Sequence, residues 1–175
     1  GHSMGTFIAL EAAARHPERV ASLTLLATAE GMPVHPELLS SAADDLPKAA
    51  ALMASWGHGP AAQTGPNPTP GLSMVGGARA LVEASPAGAL ADDFAACAAY
   101  QRAPEAAAEV TCPVRVVIGR TDKMTPLRSA TALAQHLPDE HRSLIVLPEV
   151  GHMLMTEDPA TVRRILRDAV TATPD

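Results

Sequence analysis

The sequence is poor in several residue types that mark particular classes of protein. With 1 Trp, 1 Tyr and 2 Phe in 175 residues, and no basic stripe interleaved with aromatics, it gives little support to nucleic-acid binding. Its 2 cysteines, Cys97 and Cys112, lie far apart and outside any CxxC or His/Cys pattern of zinc-site spacing. They read as buried or inert thiols, which fits a reducing, cytoplasmic compartment. No apolar run reaches the roughly 18 to 20 residues of a membrane span, so no membrane partner is expected. Basic residues are in the minority, 13 against 19 acidic, giving a net charge of −6. There is no initiator Met, so any signal peptide would lie upstream of Gly1.

What is present is an ordinary globular composition, 47% hydrophobic and 18% charged, in a chain long enough for one core. It opens on Gly1-His2-Ser3-Met4-Gly5. This fits Gly-x-Ser-x-Gly, in which a strand turns sharply into a helix and holds a serine strained and exposed. Side chains at positions 1 and 5 are expected to collide where strand and helix pass closest. The motif gains meaning only if a helix, a buried strand, and then an acid and a histidine follow in that order.

The helix follows: Phe7, Leu10 and Ala14, flanked by Met4, Ile8 and Ala12, form one broad apolar face that Pro17 ends. Residues 20–27 then read as a strand apolar on both faces, hence central in a sheet. Residues 30–108 change character, being alanine-rich, without strand patterns, and broken by Gly57-His58-Gly59-Pro60 and a Pro/Gly loop at 65–71. The spacing predicts helices over 36–56, 72–84 and 89–109, an inserted helical cap between core segments 1–29 and 109–175. Strands are expected at 114–118 and 143–147. Thr125-Pro126 and Asp158-Pro159 each read as a helix cap followed by a first-turn proline. Strands alternating with helices predict an α/β fold with a mostly parallel sheet.

Two polar residues follow the later strands, at the carboxyl ends where open parallel sheets place ligands: Asp122 and His152. With Ser3 they run in the order Ser, Asp, His. The stretches GHSMG, GRTDKMTP and VLPEVGHMLMTEDP together resemble the second half of an α/β-hydrolase-fold enzyme. That resemblance implies Ser3 as nucleophile, His152 as general base, Asp122 as its orienting carboxylate and the Met4 N–H as one oxyanion-hole donor. Glu30, just past the strand at 20–27, stands where some members carry the acid instead. The chemistry is coherent, since a serine hydroxyl attacks only when a base takes its proton, and an imidazole can take and return it near neutral pH. No cofactor or metal is implied. The other histidines form no metal spacing; His2 is expected to point across the turn, away from Ser3, without a catalytic part.

The implied reaction is hydrolysis of an ester, lactone or thioester through an acyl-enzyme; perhydrolysis and C–C hydrolysis run on the same triad in relatives, and a non-catalytic binding protein of this fold is the alternative. Trp56, His58, Met74, Tyr100 and Met153, with Met53, Leu72 and Phe94, are candidate pocket residues. Over residues 30–105, Lys48, Arg79 and Arg102 face eight carboxylates, so a small neutral, fairly apolar substrate is expected and a strongly anionic one is disfavoured. Hydrolases of this fold use a second backbone donor from a loop nearer the N-terminus. The chain therefore reads as the C-terminal part of a longer enzyme. The isolated piece is expected to be nearly inert and to self-associate through the edge at 20–27.

Overall fold

Prolines and capping side chains set most of the helix boundaries. In the computed structural model, which describes residues 1–64 and 70–171, α1 (Met4–Arg15) starts directly after Ser3 and stops before Pro17. The helix expected over 36–56 is two, α2 (Pro36–Asp44) and α3 (Leu46–Gly57). Asp45 leaves helical geometry and its carboxylate accepts the Lys48 N–H at 3.1 Å, capping α3. Short α4 (Pro60–Thr64), not expected from the sequence, precedes the predicted loop at 65–71, of which 65–69 lie outside the described residues. After α5 (Met74–Glu83), the helix expected over 89–109 is again two, α6 (Ala89–Ala99) and α7 (Ala103–Ala108). Tyr100 turns extended between them and a proline opens α7. α8 (Leu127–His136) begins after Pro126, one residue later than expected. The short α9 (Leu154–Glu157) leads into α10 (Pro159–Thr171), where Asp158 caps as predicted, accepting the Thr161 N–H at 3.1 Å.

Three strands, β1 (Leu23–Leu26), β2 (Val114–Gly119) and β3 (Arg142–Leu147), form a parallel sheet in the order β1-β2-β3, with Leu25 opposite Val116 and Val116 opposite Leu144. β1 is shorter than the predicted 20–27 because its pairing starts at Leu23, opposite Val114. Along its other edge run residues 1–3. The Leu26 N–H donates to Gly1 O at 2.9 Å and the Ser3 N–H to Leu26 O at 3.0 Å, so Ser3 ends a strand-like segment beside β1.

Leu10, Leu25, Val116, Ile118, Leu133 and Leu154, all fully buried, bring α1, α8 and α9 onto the sheet in one core. A smaller cluster of Leu38, Ala42 and Ala49, with Trp56 and Phe94 against it, holds the segment from α2 to α6. Alanines 49, 50 and 54 of α3 are buried, and their small side chains let neighbouring helices approach closely. Among the described residues no helix is long and apolar enough to cross a membrane.

Candidate active site

The sheet delivers Ser3, Asp122 and His152 to its carboxyl end. Ser3 has φ 51 and ψ −127, a backbone region that side-chain-bearing residues avoid at a cost of about 1–3 kcal/mol. Its neighbours fix it there: Ser3 O accepts the Thr6 hydroxyl at 2.6 Å and the Thr6 N–H at 2.8 Å. Having donated to Ser3, the Thr6 hydroxyl accepts from Thr28 Oγ1 at 2.9 Å. A Cβ on Gly1 would stand 2.2 Å from Gly5 O, so glycine is required at position 1. The expected mutual collision is one-sided, because a Cβ on Gly5 would meet nothing within 4 Å. The Met4 N–H at the start of α1 has no hydrogen-bond partner among the described residues.

Asp122 and His152 are a buried pair, His152 Nδ1 lying 2.9 Å from Asp122 Oδ2. Asp122 Oδ1 accepts the Met124 and Thr125 N–H groups, both at 2.8 Å, and the Thr125 hydroxyl donates to Oδ2 at 2.7 Å. That hydroxyl has given away its only proton, so toward His152 Nδ1, 3.2 Å away, it can only accept. Nδ1 therefore carries the hydrogen and Nε2 is left as the free lone pair. Burial would raise the Asp122 carboxyl, but the His152 hydrogen bond and charge, with the Thr125 donors, hold it below its ordinary value. Glu30 is elsewhere: its Oε1 lies 2.8 Å from His136 Nε2.

The loop carrying His152 is tied to the helical segment. Gly57 O accepts the His152 and Met153 N–H groups at 2.9 and 3.0 Å, and Glu157 Oε2 bridges the Gly59 and Gly151 N–H groups at 2.9 and 3.1 Å. Sequence reading missed Glu157, since nothing in its local pattern points to partners as far off as Gly59.

His2, expected to point across the turn without a catalytic part, has a structural role that the sequence did not suggest. Its Nε2–H donates to His152 O at 2.9 Å, and the two imidazoles stand 4.8 Å apart, so His2 also braces the histidine loop. Burial first, then the neighbouring His152, pushes the His2 imidazole down to about 4 from 6.5. Between those values the unfolded chain binds the extra proton and the fold does not. Stability from this site is thus complete above pH 6.5 and lost as pH falls toward 4. Thermal melts of wild type and His2→Gln at pH 7 and pH 4.5 should show the larger acid-induced fall in Tm for wild type. Equal falls would remove His2 as a titrating group.

Ser3 lines a cavity of about 700 Å³ with Met32, Val34, Leu38, Trp56 and Phe94 on its apolar side. Of the predicted pocket residues, Trp56 and Phe94 are there and six are not. Met53 packs against the Leu38 cluster and Leu72 is exposed. His58 is buried, with Nδ1 bonded to Ala54 O at 2.8 Å. Met74 borders a separate cavity of about 170 Å³. Tyr100 packs on Phe7 and gives its hydroxyl to Glu11 at 2.8 Å. Met153 points at the Gly57 turn, its Cγ 3.5 Å from where a Gly57 Cβ would stand. The apolar spacing that suggested these residues serves packing as readily as a pocket. Among the described residues no group of three His, Cys, Asp or Glu could hold a metal ion.

A family model described as serine aminopeptidase, S33, matches residues 1–159. Among solved structures, the enol-lactonase from Burkholderia xenovorans LB400 superposes with a TM-score of 0.85 and 19% identity over 98% of this chain and 64% of its own. An esterase from Exiguobacterium antarcticum gives 0.82 and 18%, over 98% of this chain and 65% of its own. A thermophilic esterase from Thermogutta terrifontis gives 0.81 and 21%, over 99% and 64%. At such identities the likeness is one of fold. The chain spans about 65% of the length of the solved structures it matches. A search of curated proteins gives no match.

Proposed function

The chain belongs to the serine aminopeptidase S33 family of α/β-hydrolases, and on that premise we propose that its protein hydrolyses an ester-like bond through Ser3, His152 and Asp122. The observation that carries this reading is the buried Asp122–His152 pair, 2.9 Å apart, which leaves Nε2 of the ring unprotonated on the side away from the carboxylate. Ser3, first of the three in the chain order the chemistry needs, is held at a strained turn and lines the cavity.

In the proposed reaction the Ser3 hydroxyl attacks the substrate carbonyl while His152 Nε2 takes its proton. The resulting imidazolium is stabilised by Asp122, whose carboxyl is held below its ordinary value and so is ionised near neutral pH. The oxyanion of the tetrahedral intermediate accepts the Met4 N–H, one of the two donors this fold employs, at the positive end of α1. Collapse expels the alcohol with the His152 proton and leaves Ser3 acylated. Water, deprotonated by the same Nε2, releases the acid. A fluorophosphonate probe tests the central step: the full-length protein, folded, should be labelled on Ser3 and its His152→Ala variant should not. Folded protein that resists labelling would sink the enzyme reading in favour of a binding protein of the same fold.

A further inference from the structure

The cavity beside Ser3 is electrically one-sided. Among the described residues, the Lys, Arg, Asp and Glu side chains that line it are two, both cations, Lys123 and Arg128. No described carboxylate lines it, although acids outnumber bases 19 to 13 in the chain. The other polar side chains there are Ser3, Thr125, Ser129, Cys97, whose thiol burial raises, and His35, whose Nδ1 accepts the Glu37 N–H at 3.3 Å.

Nor are the two cations matched from elsewhere. Among the described residues neither has an ion-pair partner, whereas Lys48 pairs with Glu37 and Arg79 with Glu83. Arg128 also sits in the first turn of α8, against the positive end of the helix dipole, where an acidic residue would be the stabilising choice. Lys123 follows Asp122 directly, on the same rim. The net charge of residues 30–105, which argued for a neutral substrate, misleads here because none of their eight carboxylates faces the cavity.

We propose that the substrate carries a carboxylate, held by Lys123 and Arg128, joined by a short apolar segment to the bond that Ser3 attacks. The apolar wall of Met32, Val34, Leu38, Trp56 and Phe94 receives the segment, and the cationic rim receives the charge. This rests on the hydrolase reading of Ser3. Half-esters of dicarboxylic acids, or lactones bearing a carboxylate, have that form.

The test, run on the full-length protein, compares two esters of equal reach, mono-p-nitrophenyl adipate and its methyl-capped neutral counterpart, with spontaneous hydrolysis subtracted. At low salt kcat/KM should favour the anion about tenfold, chiefly through KM, the sum expected of two solvent-facing charge pairs. The preference should shrink as salt brings the screening length toward about 8 Å. Lys123→Gln with Arg128→Gln should bring the ratio near one, and the double change to Glu should invert it. If the Glu variant does not fold, Arg128→Gln alone should still lower the ratio several-fold. A wild-type preference for the neutral ester, or a ratio unmoved in the Gln variants, would overturn the proposal. Calorimetric binding of hexanoate and hexanamide to Ser3→Ala reads the rim without turnover. Tighter hexanoate binding in a protein that cleaves neither ester would uphold the anion site and reject the hydrolase, and equal affinities would reject the site.

Discussion

Replacing Asp122 with Asn is expected to lower kcat by about four orders of magnitude with little change in KM. The pair it disrupts is buried, and the amide would present its NH₂ to His152 Nδ1. The ring would then hold its hydrogen on Nε2, where the base is needed. The Met124 and Thr125 N–H groups that bond Oδ1 can still bond the amide oxygen, so the loop should keep its shape and the loss should lie in chemistry. Stability should respond in a pH-dependent way. Because the folded carboxyl lies below its ordinary value, the stability it adds is present above that value and lost as pH falls through the folded one. The Asn protein should therefore fall short of wild type near neutrality and approach it in acid. Glu30→Gln is the control, since Glu30 sits half-exposed against His136 and its loss should change kcat no more than a few-fold. Steady-state kinetics on the pair decides the matter: a severe loss in the Glu30 variant with activity retained in Asp122→Asn would move the acid to Glu30.

The parts of the site that were legible in the sequence are those written locally. Ser3 stands between glycines at the head of an apolar helix, and Asp122 and His152 each follow a short Val/Ile/Leu run, so strand ends and their order could be read directly. The same local grammar offered more than was taken. Asp45-Leu46-Pro47 is a cap with a first-turn proline and divides α2 from α3, while Pro104 marks the start of α7; both were hidden by continuous alanine-rich periodicity. What no local pattern carries is contact across the chain. The His2 bond to His152 spans 150 positions and that of Gly59 to Glu157 spans 98. A glutamate in a short helix looks like any solvated acid until the backbone that meets it is known. Pocket membership fails for the same reason, because an apolar stripe states which face is buried and not against what.

Gly151→Ala is expected to cost both stability and activity, through the packing of three backbone segments that leaves no room for a methyl group. A Cβ there would lie 2.4 Å from Gly59 N, 2.9 Å from His58 C and 3.0 Å from Glu157 Oε1. The first two are backbone atoms, so the clash cannot be relieved by turning a side chain. Nor can the loop withdraw toward β2, since Gly151 O already lies 2.2 Å from where a Gly119 Cβ would stand. Relief must therefore separate the His152 loop from the Gly57–Gly59 turn. That stretches the bonds from His152 and Met153 to Gly57 O and opens the Glu157 bridge. Overpacking of this kind costs about 1–3 kcal/mol. A shift of about 1 Å in a group that must meet a reacting atom can cost about a hundredfold in rate. Gly77→Ala, where a Cβ meets nothing within 4 Å and the residue lies inside α5, is the matched control and should hold or slightly raise Tm. The two effects separate by experiment: thermal melts report the packing, and fluorophosphonate labelling rate on folded protein reports the placement of His152 toward Ser3. Gly151→Ala protein that labels as fast as wild type, whatever its Tm, would show that the turn stabilises the fold without positioning the histidine.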